Sequence, residues 1–311
     1  LEARIAPMNT AAALLATVRD IDSAVEEYRD WQTGYLWQHE ILPRAERYWK
    51  NAQEHAQYFY VLHFIKKPLP RIPEKERERT QWLPARNHEV RKIAEAQAKA
   101  LARGLTRSSY LCSRIRGIDA SSREIGCRPE TFATQFRYLR NNLVAEPQPA
   151  SNLRYWPKLR STYHVGEDFL DLTDGLRAID EAITFLDLEP GDRLGHALAL
   201  GISPRQYYRV KDHASWLPAQ DLLDNLVWLM FRSMEWDVPI PSSLRELLRD
   251  RAQQLLDQIY PNKDEGANAI TLRDYYDAWR LRGDDPELYW QALSDEVNII
   301  RVLTGSSKPL D

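Results

Sequence analysis

Two histidines and a glutamate stand where this chain could do chemistry. His164-Val165-Gly166-Glu167 closes a β-rich run, and His196 closes the short run Leu194-Gly195-His196. Loop and helix signals follow each. A strand that delivers a polar side chain at its C-terminal end, with a helix behind it, is how a (β/α) barrel builds an active site. An imidazole is a good zinc donor. A carboxyl group can give a proton and take it back. Gly166, ahead of Glu167, lets the backbone turn where a side chain would resist. Taken singly, each histidine reads as an ordinary strand-end residue. It is their joint occurrence with Glu167 that makes a candidate site.

The elements that must position these residues follow from periodicity. Leu159 to Val165 reads as a strand, and a helix begins at Leu172, with Leu176, Ile179, Ile183 and Leu186 on one face. Pro190-Gly191-Asp192 is a turn, and Leu194 to Leu198 a short second strand. Strand, helix, strand at this spacing is a βαβ unit, which implies parallel strands and a right-handed crossover. Upstream, Tyr58 to Ile65 is an aromatic and β-branched run of the length of a buried strand. Lys66 to Arg79 reads as a Pro- and charge-rich loop. Residues 88–103 read as a helix with Val90, Ile93, Ala94, Ala98 and Leu101 inward, stopped by Gly104. Cys112 then enters a strand, Ser113 to Ala120, and Pro129 opens a helix to Asn141. Residues 142–158, with Pro147, Pro149 and Pro157, make a linker.

The flanks are helical. Ala11, Ala12, Leu15, Val18, Ile21 and Val25 recur at three or four residues, and a second helix spans 43–57. After His196 the chain reads as helix for about a hundred residues. One helix runs from Pro218 to Trp236. Ser243-Leu-Arg-Glu246 reads as a capping box that opens the next, with Leu244, Leu247, Leu248, Ala252, Leu255 and Ile259 as its buried stripe. Two more lie near 271–281 and 287–303. Three segments result: 1–57, a helical N-terminal segment; 58–200, the central part of an α/β barrel; and 201–311, a helical insertion or lobe.

Composition narrows the classes. The 311 residues carry a net charge of −3, so there is no global basic field for nucleic acid. Arg205, Arg209 and Lys211 are a local exception that could meet a phosphate, against the plainer reading of a solvated helix face. No run of ~18 apolar residues reads as a membrane span, and the start is not a secretory signal. The two cysteines, Cys112 and Cys127, read as free thiols in a reducing cytoplasm. Ten Trp and fifteen Tyr suit subunit contacts, so a homo-oligomer is expected. His63, inside an apolar run, reads as a packed histidine, and His39 as a helix-surface residue.

The motifs also carry a resemblance. His164-Val-Gly-Glu167 resembles the His-x-Gly-Glu motif of the adenosine and AMP deaminases, and Arg193-Leu-Gly-His196 resembles their Arg-Ile-Gly-His motif. Gly117-Ile-Asp119-Ala-Ser-Ser122-Arg-Glu124 is similar to their Gly-Ile-Asp-Leu-Ala-Gly-x-Glu strand. The three come in the family's order over roughly 85 residues of the chain. The wording looks closest to the deaminase subunits of the RADAR phage-defence system.

The resemblance implies a (β/α)8 TIM barrel of the metal-dependent hydrolase type. It implies Zn2+ held by His164, Glu167 as the proton shuttle and His196 on the metal-bound water, with Gly166 and Ser122 against the substrate. Ser122 stands where the family has a glycine. The implied reaction is hydrolytic deamination of adenosine, an adenine nucleotide or adenosine in RNA. The narrower likeness implies an ATPase partner, a large homo-oligomeric shell and a role in antiviral defence.

Two departures stand against it. The family's first barrel strand carries His-x-His, which is absent here. Its last carries Asp-Asp-Pro, and here Asp284-Asp285-Pro286 follows a charged helix and reads as a capping turn, with zinc ligation by Asp284 the other reading. The chain is therefore expected to hold the middle of the barrel without its first and last strands. A fragment of a longer protein is the favoured reading. A catalytically incomplete barrel kept as an assembly or binding scaffold is the alternative.

Overall fold

The structure is a computed structural model, and it describes residues 2–38, 58–68, 87–141, 159–260 and 270–284. The expected helices at 43–57 and 287–303, His39, most of the loop after Lys66 and all of the 142–158 linker lie outside these residues.

Five strands form one parallel sheet in sequential order: β1 (Glu2–Ile5), β2 (Phe59–Lys66), β3 (Ile115–Ser122), β4 (Arg160–Val165) and β5 (Arg193–His196). Nine α-helices lie among the described residues. They are α1 (Ala11–Gln38), α2 (His88–Arg107), α3 (Ser109–Arg114), α4 (Ala133–Asn141), α5 (Leu172–Phe185), α6 (Pro204–Val210), α7 (Ala219–Glu235), α8 (Ser242–Ile259) and α9 (Leu272–Arg280). The mixed α/β class is as the alternation of patterns required.

The chain divides into two compact units. The first comprises Leu1–Ile65, Lys92–Asp119 and Tyr138–Thr162. Its core holds Leu14, Val18, Tyr60, Leu62, Phe64, Leu101, Leu105, Leu111, Ile115 and Ile118. Tyr60, Val61, Leu62 and Phe64 of β2 are buried on both faces of that strand, as a parallel strand covered on both sides requires. Asp22 is the polar centre of this unit. It accepts hydrogen bonds from Tyr58 (2.8 Å), Tyr60 (2.5 Å), Tyr110 and the Arg114 guanidinium (2.6 and 2.8 Å). Burial raises the Asp22 pKa, but Arg114 and the three hydroxyls outweigh it and hold the carboxyl at about 2.

Three expectations are corrected in this unit. The N-terminal segment is not helical throughout: β1 precedes α1 and pairs in parallel with β2, Glu2 opposite Phe59 and Ile5 opposite Leu62. Four residues are too few for periodicity to register. Gly104 does not stop α2, which runs on to Arg107. A Cβ there would meet Leu111 at 3.0 Å, so the glycine admits a neighbour rather than a turn. Cys112 sits on α3, not on a strand. Ser108 caps that helix by accepting from the Leu111 N–H at 3.2 Å, and β3 begins only at Ile115.

The second unit comprises Lys66–Arg91, Ala120–Arg137 and Tyr163–Asp311. Its apolar core is Phe132, Phe136, Tyr163, Ile179, Phe185, Leu223, Val227, Leu255 and Trp279. Inside it runs a chain of buried ions. Arg128 bonds Glu181 (2.6 and 2.9 Å) and Asp174 (2.7 Å). Arg177 bonds Glu181 (2.6 Å), Asp174 (3.0 Å) and Asn225 (2.8 Å). Arg282 grips Asp224 at 2.7 and 2.8 Å.

The helical part departs from its periodicity in two places. The expected capping box at Ser243 is absent: α8 starts at Ser242 behind Pro241, with no side-chain cap. The capping box is at Thr271 and Asp274, opening α9. The expected stripe of α8 is buried only in its second half, since Leu244 and Leu247 are 44% and 65% exposed. Lys66, read as the first residue of a loop, is the last residue of β2 and only 2% exposed.

Candidate active site

The second unit holds the candidate residues. β4 carries His164 as its penultimate residue, half-buried, and the chain leaves through Val165 and Gly166 to the exposed Glu167. Gly166 has φ +73°, and a Cβ on it would lie 2.7 Å from the Ile179 side chain of α5. Both facts select glycine: the left-handed turn disfavours a side chain, and the helix behind leaves no room for one. The turn delivers Glu167 to the strand's C-terminal end.

β5 ends on His196. Gly195 before it lies against the His164 ring, where a Cβ would come within 2.6 Å of Cδ2. The glycine of this motif thus makes space for the histidine of the other. His196 and Ala197 take consecutive left-handed conformations, φ 59° and 47°. For residues with a Cβ these cost about 1 kcal/mol or more each. The strain is held by backbone bonds: the Ala197 N–H donates to Val165 O at 3.1 Å, and the Ala199 N–H to Gly166 O at 3.0 Å. These bonds lock the end of β5 to the end of β4.

The result is a three-membered cluster. The His164 and His196 ring centroids are 5.2 Å apart, tilted by 52°. His196 Nε2 lies 3.3 Å from Glu167 Oε2, and these two side chains are 47% and 44% exposed. Two imidazoles and a carboxylate converge at adjacent strand ends, within reach of solvent. Such a group can hold a water molecule, pass a proton, or donate to a metal.

Ser122 is the exposed last residue of β3, with φ +86°. A serine here keeps the backbone conformation of a glycine. Two residues on, Glu124, the last residue of the strand motif, is 7% exposed and carries no role by its type and spacing alone. Its Oε2 accepts the Gly166 N–H at 2.8 Å. Burial pushes the Glu124 carboxyl up from its ordinary value, while the Lys66 ammonium and the Gly166 amide pull the other way. Lys66 is the second residue the sequence concealed. Its ammonium donates to the His164 carbonyl and lies 4.1 Å over the Tyr163 ring.

The remaining candidates lie apart from the cluster's contacts. Asp284 stands in a turn after α9, where its N–H donates to Leu281 O, and its carboxylate pairs with Arg137 at 2.8 Å. Arg205, Arg209 and Lys211 are exposed on and just after α6, with Lys211 over the Tyr207 ring at 5.0 Å. In the first unit, His63 is half-buried on β2, 3.8 Å from Asp119. The thiols are buried: Cys112 donates to Leu105 O, and burial pushes Cys127 up to about 11.

The expected Zn2+ needs at least three protein donors. Among the described residues, no group of three or more His, Cys, Asp or Glu side chains is arranged to hold a metal. His164 and His196 are of the right chemistry, but these residues alone do not complete a zinc site. No helix among the described residues is long and apolar enough to cross a membrane. No protein-family model matches the chain, and no curated protein matches it.

Proposed function

We propose that the ends of β4 and β5 carry out hydrolytic deamination of adenosine or an adenine nucleotide to the inosine form. The observation that carries this reading is the 3.3 Å approach of Glu167 to His196, beside the His164 ring and open to solvent. The reaction needs a proton delivered to ring N1 while water adds to C6. Glu167 is the group that gives that proton. His196 holds the attacking water and takes up its proton, which then goes to the departing amine. The C6–O bond forms, the C6–N bond breaks, ammonia leaves, and the proton left on the C6 hydroxyl returns to Glu167. Strand-end placement in a sequentially ordered parallel sheet suits a (β/α)8 barrel, which is the finer fold proposed.

His164 would be one zinc donor; the His-x-His pair of the deaminase pattern is absent from the sequence, and Asp284 is paired with Arg137. The likeness to RADAR deaminase subunits extends the proposal to an antiviral role, an ATPase partner, a homo-oligomer and RNA as a further substrate.

The test uses the complete parent protein, zinc-replete, with adenosine, AMP, ATP and a short adenosine-containing RNA. Conversion to the inosine form is followed by mass spectrometry beside a Glu167→Gln control, with zinc content measured. Conversion abolished in the control supports the proposal and ranks the substrates. No conversion of any substrate overturns it and leaves a barrel kept as an assembly or binding scaffold.

A further inference from the structure

The turn that carries Glu167 is held from both sides by opposite buried charges. On one side is Lys66, at the end of β2 and 2% exposed, whose ammonium donates to the His164 carbonyl. On the other is Glu124, just past β3 and 7% exposed, whose carboxylate accepts the N–H of Gly166 at 2.8 Å. The turn from His164 to Glu167 thus presents a carbonyl to a cation and an amide to an anion. Neither charge reaches solvent.

Burying a charge is costly, and a hydrophobic pair would fill the same space more cheaply. Placed here, the pair fixes the peptide planes on which the imidazole of His164 and the carboxyl of Glu167 are mounted. Charge-assisted hydrogen bonds are roughly twice as strong as neutral ones. The left-handed Gly166 between them is the position most free to swing. It is also the residue whose N–H Glu124 takes.

We infer that Lys66 and Glu124 are positioning residues that clamp the His164–Glu167 turn and so set the placement of Glu167 against His196. The inference rests on the deaminase reading for its catalytic consequence, but the clamp itself is a physical property of the turn. Neither side chain touches the reacting atoms. Loss of either lets the turn sample other conformations, which lowers turnover more than substrate binding.

The test compares wild type with Glu124→Ala, Glu124→Gln and Lys66→Met in the complete protein. Two readouts are taken: amide hydrogen exchange of the peptide spanning Tyr163 to Phe169, and kcat and KM for adenosine. In Glu124→Ala, exchange at Gly166 is expected to quicken by about tenfold or more, with β4 itself unchanged. Glu124→Gln, which keeps a neutral acceptor, falls between Ala and wild type. In Glu124→Ala and Lys66→Met, kcat is expected to drop by about a hundredfold, with KM moving by less than about threefold.

Wild-type exchange at the turn in folded Glu124→Ala overturns the clamp. Equal losses in kcat and in substrate affinity would also overturn it. If Glu124→Ala does not fold, Glu124→Gln and Lys66→Met decide the matter on the same readouts. If wild type itself is inactive, the deaminase reading fails, and the exchange rates still decide whether the turn is clamped.

Discussion

The ion chain around Arg177 and the cluster around His196 use similar residue types in the same unit to opposite ends. Arg177 is 1% exposed, and its guanidinium is bonded to Glu181, Asp174 and Asn225. Glu181 is met in turn by Arg128 and the Trp279 indole N–H (2.9 Å). Burial raises the Glu181 pKa, but Arg128 and Arg177 outweigh it and hold the carboxyl below its usual range. Glu167 and His196 instead share one 3.3 Å contact, with nearly half of each side chain exposed. A dry network in which each carboxylate is met by a guanidinium fastens helices together; an exposed pair at strand ends keeps capacity for a substrate. Charge alone does not mark a site. What marks it is charge whose hydrogen-bonding capacity the fold has not already engaged.

That contrast can be broken by substitution. In the saturated network, Arg177→Met strands Glu181 and Asp174 with part of their compensation gone. It should destabilise the fold by about 3–5 kcal/mol, measured by denaturant unfolding. A cost under about 1 kcal/mol would mean that the network is not what holds α5 and α7. In the open cluster, Glu167→Gln should leave stability within about 0.5 kcal/mol of wild type. It should still lower kcat for deamination by about 10²–10⁴-fold. A large drop in melting temperature there would make Glu167 structural. Gly195→Ala lies between these cases. Its Cβ would press on the His164 ring, so it should cost about 1–3 kcal/mol and displace the histidine.

A pH titration sharpens the comparison with the first unit's own saturated centre. The folded pKa of Asp22 is depressed from 3.8 to about 2. Its stabilisation is therefore fully present above about pH 4 and is lost as pH falls towards 2, a contribution of roughly 2 kcal/mol. Asp22→Asn should flatten the melting temperature between pH 4 and pH 2. An unchanged acid limb would show that other carboxylates govern it. The smallest effect is expected at Leu247→Ser on the exposed half of α8, within about 0.5 kcal/mol. A loss above about 1.5 kcal/mol would mean that this leucine is covered after all, as the stripe reading required.

Much of the site was legible from letters alone. His164, Gly166, Glu167 and His196 could be singled out because strand ends followed by helix signals are recognisable locally. The left-handed φ at Gly166 and the room Gly195 leaves for His164 give those two glycines their physical reasons. Lys66 was not legible as part of the site, and Glu124, though the last letter of the third motif, showed nothing local of its bond to Gly166. A lysine after an apolar run reads as the start of a loop, and nothing local says that its ammonium will meet the carbonyl of His164. The same limit applies to β1, too short to show a period, and to Gly104, which looks like a stop and is a packing contact.

By itself, the sequence determined the alternation of strand and helix, the βαβ unit that ends on His164 and His196, and the glycines that admit them. These follow from periodicities of two and of about three and a half residues, and from the absence of a Cβ. All of them act within a few positions of the chain. Only the tertiary structure decided which charges are saturated and which stay open. That choice depends on partners far apart in sequence, such as Arg128 with Glu181, Arg282 with Asp224, and Glu124 with Gly166. The worth of each pairing depends on how much water the surrounding fold excludes, and no local window contains that information.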